Sequence, residues 1–245
     1  MTMDRRELLA GLLTAPAAMA LELDASGQEA GAPDPSLYIP KAHLVEDRTF
    51  LHDFMDEFAF VDLVTATPTL RITHIPTFID RGTGRYGTIF GHISAQNPQR
   101  QTFDGGHTAI VVFRGPQAYI SPAWYAKRDV VPTWNFGVVH ASGRPKAIEG
   151  PEAARTLLAR LIRKFEQKSG TNYDFDSLPA DYVAGMMKGI APFSMEVEAL
   201  EGKFKLGQER SEGDRQGVLE HLATARPHER TLRELTAAFY ARQGK

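Results

Sequence analysis

Apolar residues recur along the chain with two different periods. Between Asp47 and Glu57 they return at spacings of three and four residues, which is typical of one face of an amphipathic helix. From Ala59 onward the chain consists of short runs rich in β-branched and aromatic residues, separated by proline, glycine and aspartate. The runs are AFVDLVTA, LRITHIPTFI, YGTIFGHI, TAIVVFRG, QAYIS, TWNFGVVHA and RPKAIEG. Six or seven strands at this spacing predict an antiparallel β-barrel.

The second half of the chain returns to the helical period. Pro151–Gln167 begins with a proline, which is favoured in the first turn of a helix, and carries its apolar residues on one face. We predict further helices at Pro179–Lys188, Asp214–Thr224 and Glu229–Arg242. Phe193–Leu200 alternates between apolar and polar residues, as a strand with one buried face does. The predicted fold class is therefore α+β, with an antiparallel β-barrel and flanking helices.

The N-terminal residues have the three-part pattern of an export signal. Met1–Ala20 contains the pair Arg5 and Arg6, then an apolar stretch, then a small-residue exit. The arginine pair followed by two leucines resembles a twin-arginine (Tat-like) signal, which directs export of folded proteins. The apolar stretch is shorter than the roughly 20 residues that a membrane-spanning helix needs. We predict an export signal over residues 1–20, a linker over 21–36 and one domain over 37–245.

This division predicts a periplasmic or secreted protein. The alternatives are an ordinary amphipathic N-terminal helix and a cytoplasmic location.

Composition narrows the classes of function. The chain has 245 residues, a net charge of −2 and no cysteine, which excludes disulfides, thiolate metal sites and cysteine nucleophiles. A near-neutral chain offers nucleic acid no overall electrostatic attraction. The sequence has no phosphate-binding loop, no GxGxxG turn, no HExxH and no GxSxG. Its eight histidines include no pair spaced as metal ligands in the β-rich half, so we predict no metal site.

Both tryptophans of the chain fall in one window, Tyr119–His140. A planar heteroaromatic ligand needs flat side chains to stack on and polar groups for its ring heteroatoms. The flat side chains are Trp124, Tyr125 and Trp134, and the polar groups are Ser121, Thr133, Asn135 and His140. Packing of the tryptophans in the barrel core is an equal alternative.

Two other segments favour a phosphorylated ligand. Arg71 and Thr73 share one face of a predicted strand, and a forked cation beside a hydroxyl suits a phosphate. His92 and Asn97 lie where another predicted strand ends, and ligands bind at strand ends and barrel mouths. Each residue also has a structural explanation, as a surface charge, a half-buried ring or a turn.

Several blocks in fixed order carry a family resemblance from Leu37 to about Leu222. They include YIP, THIP, GHISAQNP, YISP with WY, VPTWNF, VHA, GKFKLGQ and DRQGV. This order resembles the PaiB-like family of FMN-binding split-barrel proteins. The resemblance implies a split β-barrel, a homodimer with FMN at the subunit interface, and the family's label of negative transcriptional regulator. It implies cofactor-binding roles for Arg71, Thr73, His74, His92, Asn97, Ser121, Trp124, Tyr125, Thr133, Trp134, Asn135, Lys205 and Gln208.

One block departs from the family pattern. The family's KLSQN is Lys205-Leu206-Gly207-Gln208-Glu209 here, so a hydroxyl is missing and an amide is replaced by a carboxylate. Lys205 and Gln208 are retained. If the block touches the flavin phosphate, we expect Glu209 to repel it.

The function that follows is an exported FMN-binding protein acting as a flavin-dependent oxidoreductase or electron carrier. A non-covalent cofactor is loaded before export, which fits a signal for folded cargo. No base or nucleophile stands out, so the catalytic residues and the reaction are left open. One alternative is a cytoplasmic regulator. The other is a haem-binding or haem-degrading split barrel, with His74, His92 or His140 as the axial ligand.

Overall fold

The computed structural model describes residues 35–126, 129–171 and 173–244. The predicted export signal, and all but the last two residues of the predicted linker, lie outside the described residues. The described chain forms seven strands: β1 (Leu44–Val45), β2 (Phe60–Thr65), β3 (Arg71–Asp80), β4 (Thr88–Ser94), β5 (Ala109–Ile120), β6 (Thr133–Ala147) and β7 (Ile190–Lys205). Its five α-helices are α1 (Arg48–Glu57), α2 (Pro151–Ser169), α3 (Ala180–Met187), α4 (Glu212–Ala223) and α5 (Pro227–Arg242). None of the described helices is long and apolar enough to cross a membrane.

The strands close into an antiparallel barrel. Their order is β1-β7-β4-β3-β2-β5-β6, and β6 pairs again with β7. The two residues of β1 only extend one edge of β7, so six strands form the closed wall. The predicted α+β class and antiparallel barrel are confirmed.

Two breaks in the sequence pattern are bulges inside long strands, one in β5 and one in β6, where TWNFGVVHA and the start of RPKAIEG form a single strand whose pairing with β7 shifts between Ser142 and Gly143. The runs TAIVVFRG and QAYIS form the single strand β5, whose pairing with β6 shifts between Arg114 and Gln117. Pro116 has no backbone N–H to donate to the hydrogen bonds between the strands. A bulge accommodates such a residue without ending the strand. Gly115 is required at this position, because a Cβ there would lie 2.6 Å from the ring of Phe54.

The helices cover the barrel in two places. Asp47 caps α1 by accepting hydrogen bonds from the backbone N–H groups of Thr49 and Phe50 at 3.0 and 3.2 Å. The apolar face of α1 then packs on β7, where the rings of Phe54 and Phe204 lie 4.9 Å apart. On another side, α2 covers the outer face of β3 and β4 through a separate small cluster of Phe78, Leu157 and Leu161.

The barrel wall opens between β3 and β4. These strands pair only from Thr77 to Asp80 on β3, with Gly91 to Thr88 on β4. Beyond Gly91, β4 continues along β7 and leaves β3. The first six residues of β3, numbers 71–76, are paired with β2 alone in the described chain. We call this opening the split.

Candidate functional site

A polar cluster fills the split. The Thr73 hydroxyl donates to Oε1 of Gln99, and Nδ2 of Asn97 donates to Oγ1 of Thr73 at 2.9 Å. Nε2 of Gln99 donates to the carbonyl of Leu63 at 3.0 Å and to Oγ1 of Thr65 at 3.1 Å. The cluster therefore joins β2, β3 and the segment after β4 through side chains instead of a strand ladder.

The local sequence explains how Gln99 enters the barrel. Asn97 caps a short 3-10 helix, Pro98–Thr102, by accepting a hydrogen bond from the Gln99 backbone N–H at 2.9 Å. Pro98 occupies the first position of that helix. The turn points the Gln99 side chain inward, where it is completely buried. Our reading of the sequence missed Gln99; the Asn-Pro start of the turn was the available signal.

Arg71 lies on the same face of β3 as Thr73 and is partly exposed. Within the described residues its guanidinium has no hydrogen bond and no ion pair. A free forked cation beside the amide N–H that Asn97 still has free is an arrangement that binds phosphate oxygens.

His92 lies on β4 directly after its last pair with β3, on the same face as Phe90, which is opposite to the face of Thr73. Its Nδ1 is buried and has no hydrogen-bond partner in the described structure. Burial lowers the pKa of His92 below the ordinary imidazole value of 6.5, so the ring is neutral at pH 7. A neutral ring at this position offers one donor and one acceptor to a ligand, but no charge.

His74 faces the opposite side of β3 from Thr73. Its Nδ1 lies 2.5 Å from Oδ1 of Asp62, whose Oδ2 lies 2.7 Å from Nη2 of Arg114. These three side chains stand on the outer surface of the barrel, where the His74 side chain is 60% exposed. The structure thus separates His74 from the polar cluster of the split.

Trp124, Tyr125 and Ser121 lie together at another part of the molecule. The Ser121 hydroxyl accepts from the Ala123 N–H at 3.2 Å and begins a short turn. The Trp124 ring stacks on His221 of α4 with centroids 5.1 Å apart. Tyr125 is buried beneath the Arg210 guanidinium, 4.8 Å from its ring. These rings therefore connect the barrel to its C-terminal segment.

The start of β6 presents alternating faces, as its sequence predicts. Trp134 points outward, is 55% exposed and meets Tyr119 of β5 edge to face at 6.2 Å. Asn135 points inward and is buried, and its Oδ1 has no partner in the described chain. The Lys205 ammonium donates to the hydroxyl of Thr133.

The retained Gln208 acts on its own backbone. Its Nε2 donates to the carbonyl of Phe204, and its Oε1 accepts from the N–H of Leu206 at 2.7 Å. Glu209 lies 3.7 Å from Nε2 of His43 and 3.9 Å from Nε of Arg210. The carboxylate of Glu209 therefore lies close to an imidazole and a guanidinium of its own chain.

The predicted site residues fall into two sets at opposite ends of β5. Arg71 of the split is paired with Thr65, and Thr65 with Ala109 at the start of β5. Thr133 of the other set is paired with Ile120 at the end of β5. At about 3.3 Å per residue, a strand of this length spans roughly 35 Å. One ligand the size of FMN does not reach both sets within a single chain.

No group of three or more acidic or histidine side chains is arranged to hold a metal ion among the residues described.

Comparison with known proteins gives the family. The chain is 34% identical over 201 residues to "Protease synthase and sporulation protein PAI 2" of Bacillus subtilis, covering 81% of this chain and 96% of the relative. Solved structures with the same fold include the flavocytochrome Anf3 of Azotobacter vinelandii, with a TM-score of 0.54 and 13% identity over 75% of this chain and 80% of that one. A FAD and haem binding protein of Mycobacterium smegmatis has a TM-score of 0.51 and 13% identity over 70% and 78%.

At this level of identity the solved structures show the split-barrel fold alone. The sequence profile of a family described as "Putative FMN-binding domain" matches residues 37–199. This match names FMN as the cofactor. The chain belongs to the PaiB-like family of FMN-binding split-barrel proteins, as the order of its sequence blocks predicts.

Proposed function

We propose that FMN binds with its phosphate at the split, in a homodimer that carries out electron or hydride transfer outside the cytoplasm. The observation that carries this proposal is the free guanidinium of Arg71 beside the Thr73–Asn97 pair. Two kinds of free donor for a phosphate, a forked cation and the second amide hydrogen of Asn97, meet there.

The unused donors of the split fit a phosphate. Nδ2 of Asn97 gives one hydrogen to Thr73 and has a second one free. Arg71 has five N–H donors, none committed within the described chain. The residues present therefore suit FMN.

In a homodimer, the second set of predicted site residues would come from the partner chain and lie close to a flavin bound at the split of the first chain. A two-fold interface places residues from one end of the barrel opposite residues from the other end of the partner. The outer barrel face is suited to it, because Phe60 is 68%, Leu70 66% and Ile72 54% exposed. Exposed apolar side chains grouped on one face are typical of an interface. Tyr119 and Trp134 of the second copy would then stack on the flavin bound at the first.

FMN supplies the electron or hydride chemistry when bound. The residues of this chain place and anchor the cofactor. At the split, Arg71 neutralises the phosphate, while Asn97 offers it a hydrogen bond without adding charge.

Ligand discrimination tests the phosphate site. Protein freed of flavin is titrated with FMN and with riboflavin, and quenching of flavin fluorescence gives the two affinities. We expect FMN to bind at least about tenfold more tightly, because charge-assisted hydrogen bonds to phosphate are strong. Arg71→Gln should remove most of this preference, and Arg163→Gln, on the exposed face of α2, should keep it. Equal affinity for the two flavins would contradict the proposal.

Fractionation of the producing cells tests the location. We expect the flavin-loaded protein in the periplasm or medium, and retention in the cytoplasm when Arg5 and Arg6 are both replaced by lysine. A wild-type protein found only in the cytoplasm would remove the export part of the proposal and leave the FMN site unaffected.

The relative's name favours one other candidate, a role in regulating protease synthesis and sporulation. Four cations on α2 are already paired with carboxylates in this structure: Arg155, Arg160, Lys164 and Lys168. They therefore offer little free charge to DNA. Salt-dependent retardation of promoter DNA by the purified protein would favour the regulator.

A further inference from the structure

A separate cavity lies between α2, α3 and the beginning of β7, and none of the predicted cofactor-binding residues lines it. Its volume is ≈ 580 Å³. Sites for small molecules have volumes of about 300 to 1,000 Å³. Most of the wall is apolar, formed by Ile148, Ala154, Val183, Ala184, Met187 and Pro192.

One end of the cavity carries positive groups. The first residues of α2, Gly150, Pro151 and Glu152, form part of the wall. No side chain caps this helix end, and its first bond of the i to i−4 type runs from the Ala154 N–H to the Gly150 carbonyl at 3.2 Å. The N–H groups of the first turn therefore have no partner within the helix, and they form the positive end of the helix dipole.

Two cationic side chains also belong to the wall. Arg155 and Lys188 line the cavity, against the single carboxylate of Glu152. The Arg155 guanidinium is 2.8 Å from Asp176, which lies outside the lining. Lys188 has no ion pair in the part of the chain that is described. The polar groups of the wall are mostly hydrogen-bond donors, so the complementary ligand group is an anionic acceptor.

We infer that this cavity binds a small amphiphilic carboxylate, such as a medium-chain fatty acid. Its hydrocarbon chain lies against the apolar wall of α2, α3 and β7. Its carboxylate lies toward the start of α2 and Lys188. The site is distinct from the FMN site at the split and does not depend on it.

Calorimetric titration of the full chain with three ligands of equal chain length tests the site. These are decanoate, decanol and decyltrimethylammonium. We expect saturable binding of one decanoate per chain. Decanol should bind about tenfold more weakly and the cation should not bind, because the positive end of the cavity selects an anion. Absence of saturable decanoate binding, or equal affinity for decanoate and decanol, would overturn the inference.

Variants locate the binding. Ala184→Trp places an indole inside the cavity and should abolish decanoate binding. Met186→Trp, on the same helix but 61% exposed and outside the lining, should leave it unchanged. Lys188→Gln should weaken binding by about threefold, as expected for one exposed charge, whereas Lys41→Gln should not. Circular dichroism checks that each variant is folded, and unimpaired binding by folded Ala184→Trp would place the ligand elsewhere.

Discussion

Nδ2 of Asn97 donates a 2.9 Å hydrogen bond to Oγ1 of Thr73, and this bond ties the segment after β4 to β3 across the split. The same hydroxyl donates to Gln99, so it is fully engaged on the protein side by one donor and one acceptor. Thr73 therefore fixes the orientation of two amide side chains that border the proposed phosphate site.

The first prediction concerns Thr73→Val, which keeps the shape of the side chain and removes both hydrogen bonds. We expect FMN affinity to fall by about tenfold, because Asn97 loses the bond that orients its free amide hydrogen toward the phosphate. Flavin fluorescence titration measures the change. Thr108→Val, in the exposed turn before β5, is the control. If both variants bind FMN as the parent does, the phosphate is bound elsewhere.

The second prediction separates stability from binding. Gln99→Leu leaves the Leu63 carbonyl and the Thr65 hydroxyl without their buried donor. A buried polar group that is left without a hydrogen-bond partner costs about 1 to 3 kcal/mol. We therefore expect the free energy of unfolding to fall by an amount of that order. Urea denaturation without flavin gives the value. Gln101→Leu changes an exposed residue of the same 3-10 helix and should have little effect.

The third prediction concerns assembly. Ile72→Lys places a charge on the apolar outer face of β3, where the parent side chain is 54% exposed. Burying an unpaired charge in an interface is costly, so dimer affinity should fall by more than about tenfold. Sedimentation equilibrium measures it. Tyr182→Lys on α3, where the parent side chain is 57% exposed, should leave the dimer intact. A parent protein that sediments as a monomer would contradict the proposed interface.

The fourth prediction follows from His92. Burial lowers the pKa of His92 in the folded state below 6.5. When the pH falls below about 6.5, the unfolded chain takes up a proton on this residue and the folded chain does not. Folding stability should therefore decrease as the pH falls from 6.5, with no contribution from this residue above it.

The measurement is the urea midpoint between pH 7.5 and pH 5, in parallel for the parent and His92→Gln. The variant should show a shallower loss. His140 should still contribute to the loss of stability in the variant, because burial lowers its pKa too, an effect that Glu201 partly offsets. Asp80 affects stability only at lower pH, because the hydrogen bond from Arg160 lowers its pKa below 3.8. A parallel pH dependence in parent and variant would mean that His92 titrates normally.

The barrel and its helices could be predicted from the sequence because the apolar residues of each element recur at the spacing of a helix or of a strand. Asp47 to Glu57 has its apolar residues at helical spacings, and the structure places α1 at Arg48–Glu57. The strand pattern predicted the correct segments but divided both β5 and β6, because Gly115 and Pro116 in one, and Ser142 and Gly143 in the other, are typical of turns and form bulges here. Local composition does not distinguish the two, since the difference depends on the partner strand.

The candidate site was only partly accessible. The shared strand face of Arg71 and Thr73 follows directly from the two-residue period, and Asn97 was found from its position at a strand end. The completely buried Gln99 depends on a 3-10 turn that points it between β2 and β3, which is a tertiary feature. The distance between the split and Trp134 is likewise invisible in the sequence, because it depends on the pairing of β5 with both β2 and β6.

Strand β7 runs from Ile190 to Lys205, whereas the family match ends at residue 199. The residues past that limit include Leu200 to Lys205, which pair with Ala141 to Phe136 of β6 and with β1. A fragment that ends at residue 199 would leave residues 136–141 of β6 without their partners in β7. Its bare edge would recruit strands from other molecules, and the fragment would precipitate where the longer chain stays dispersed.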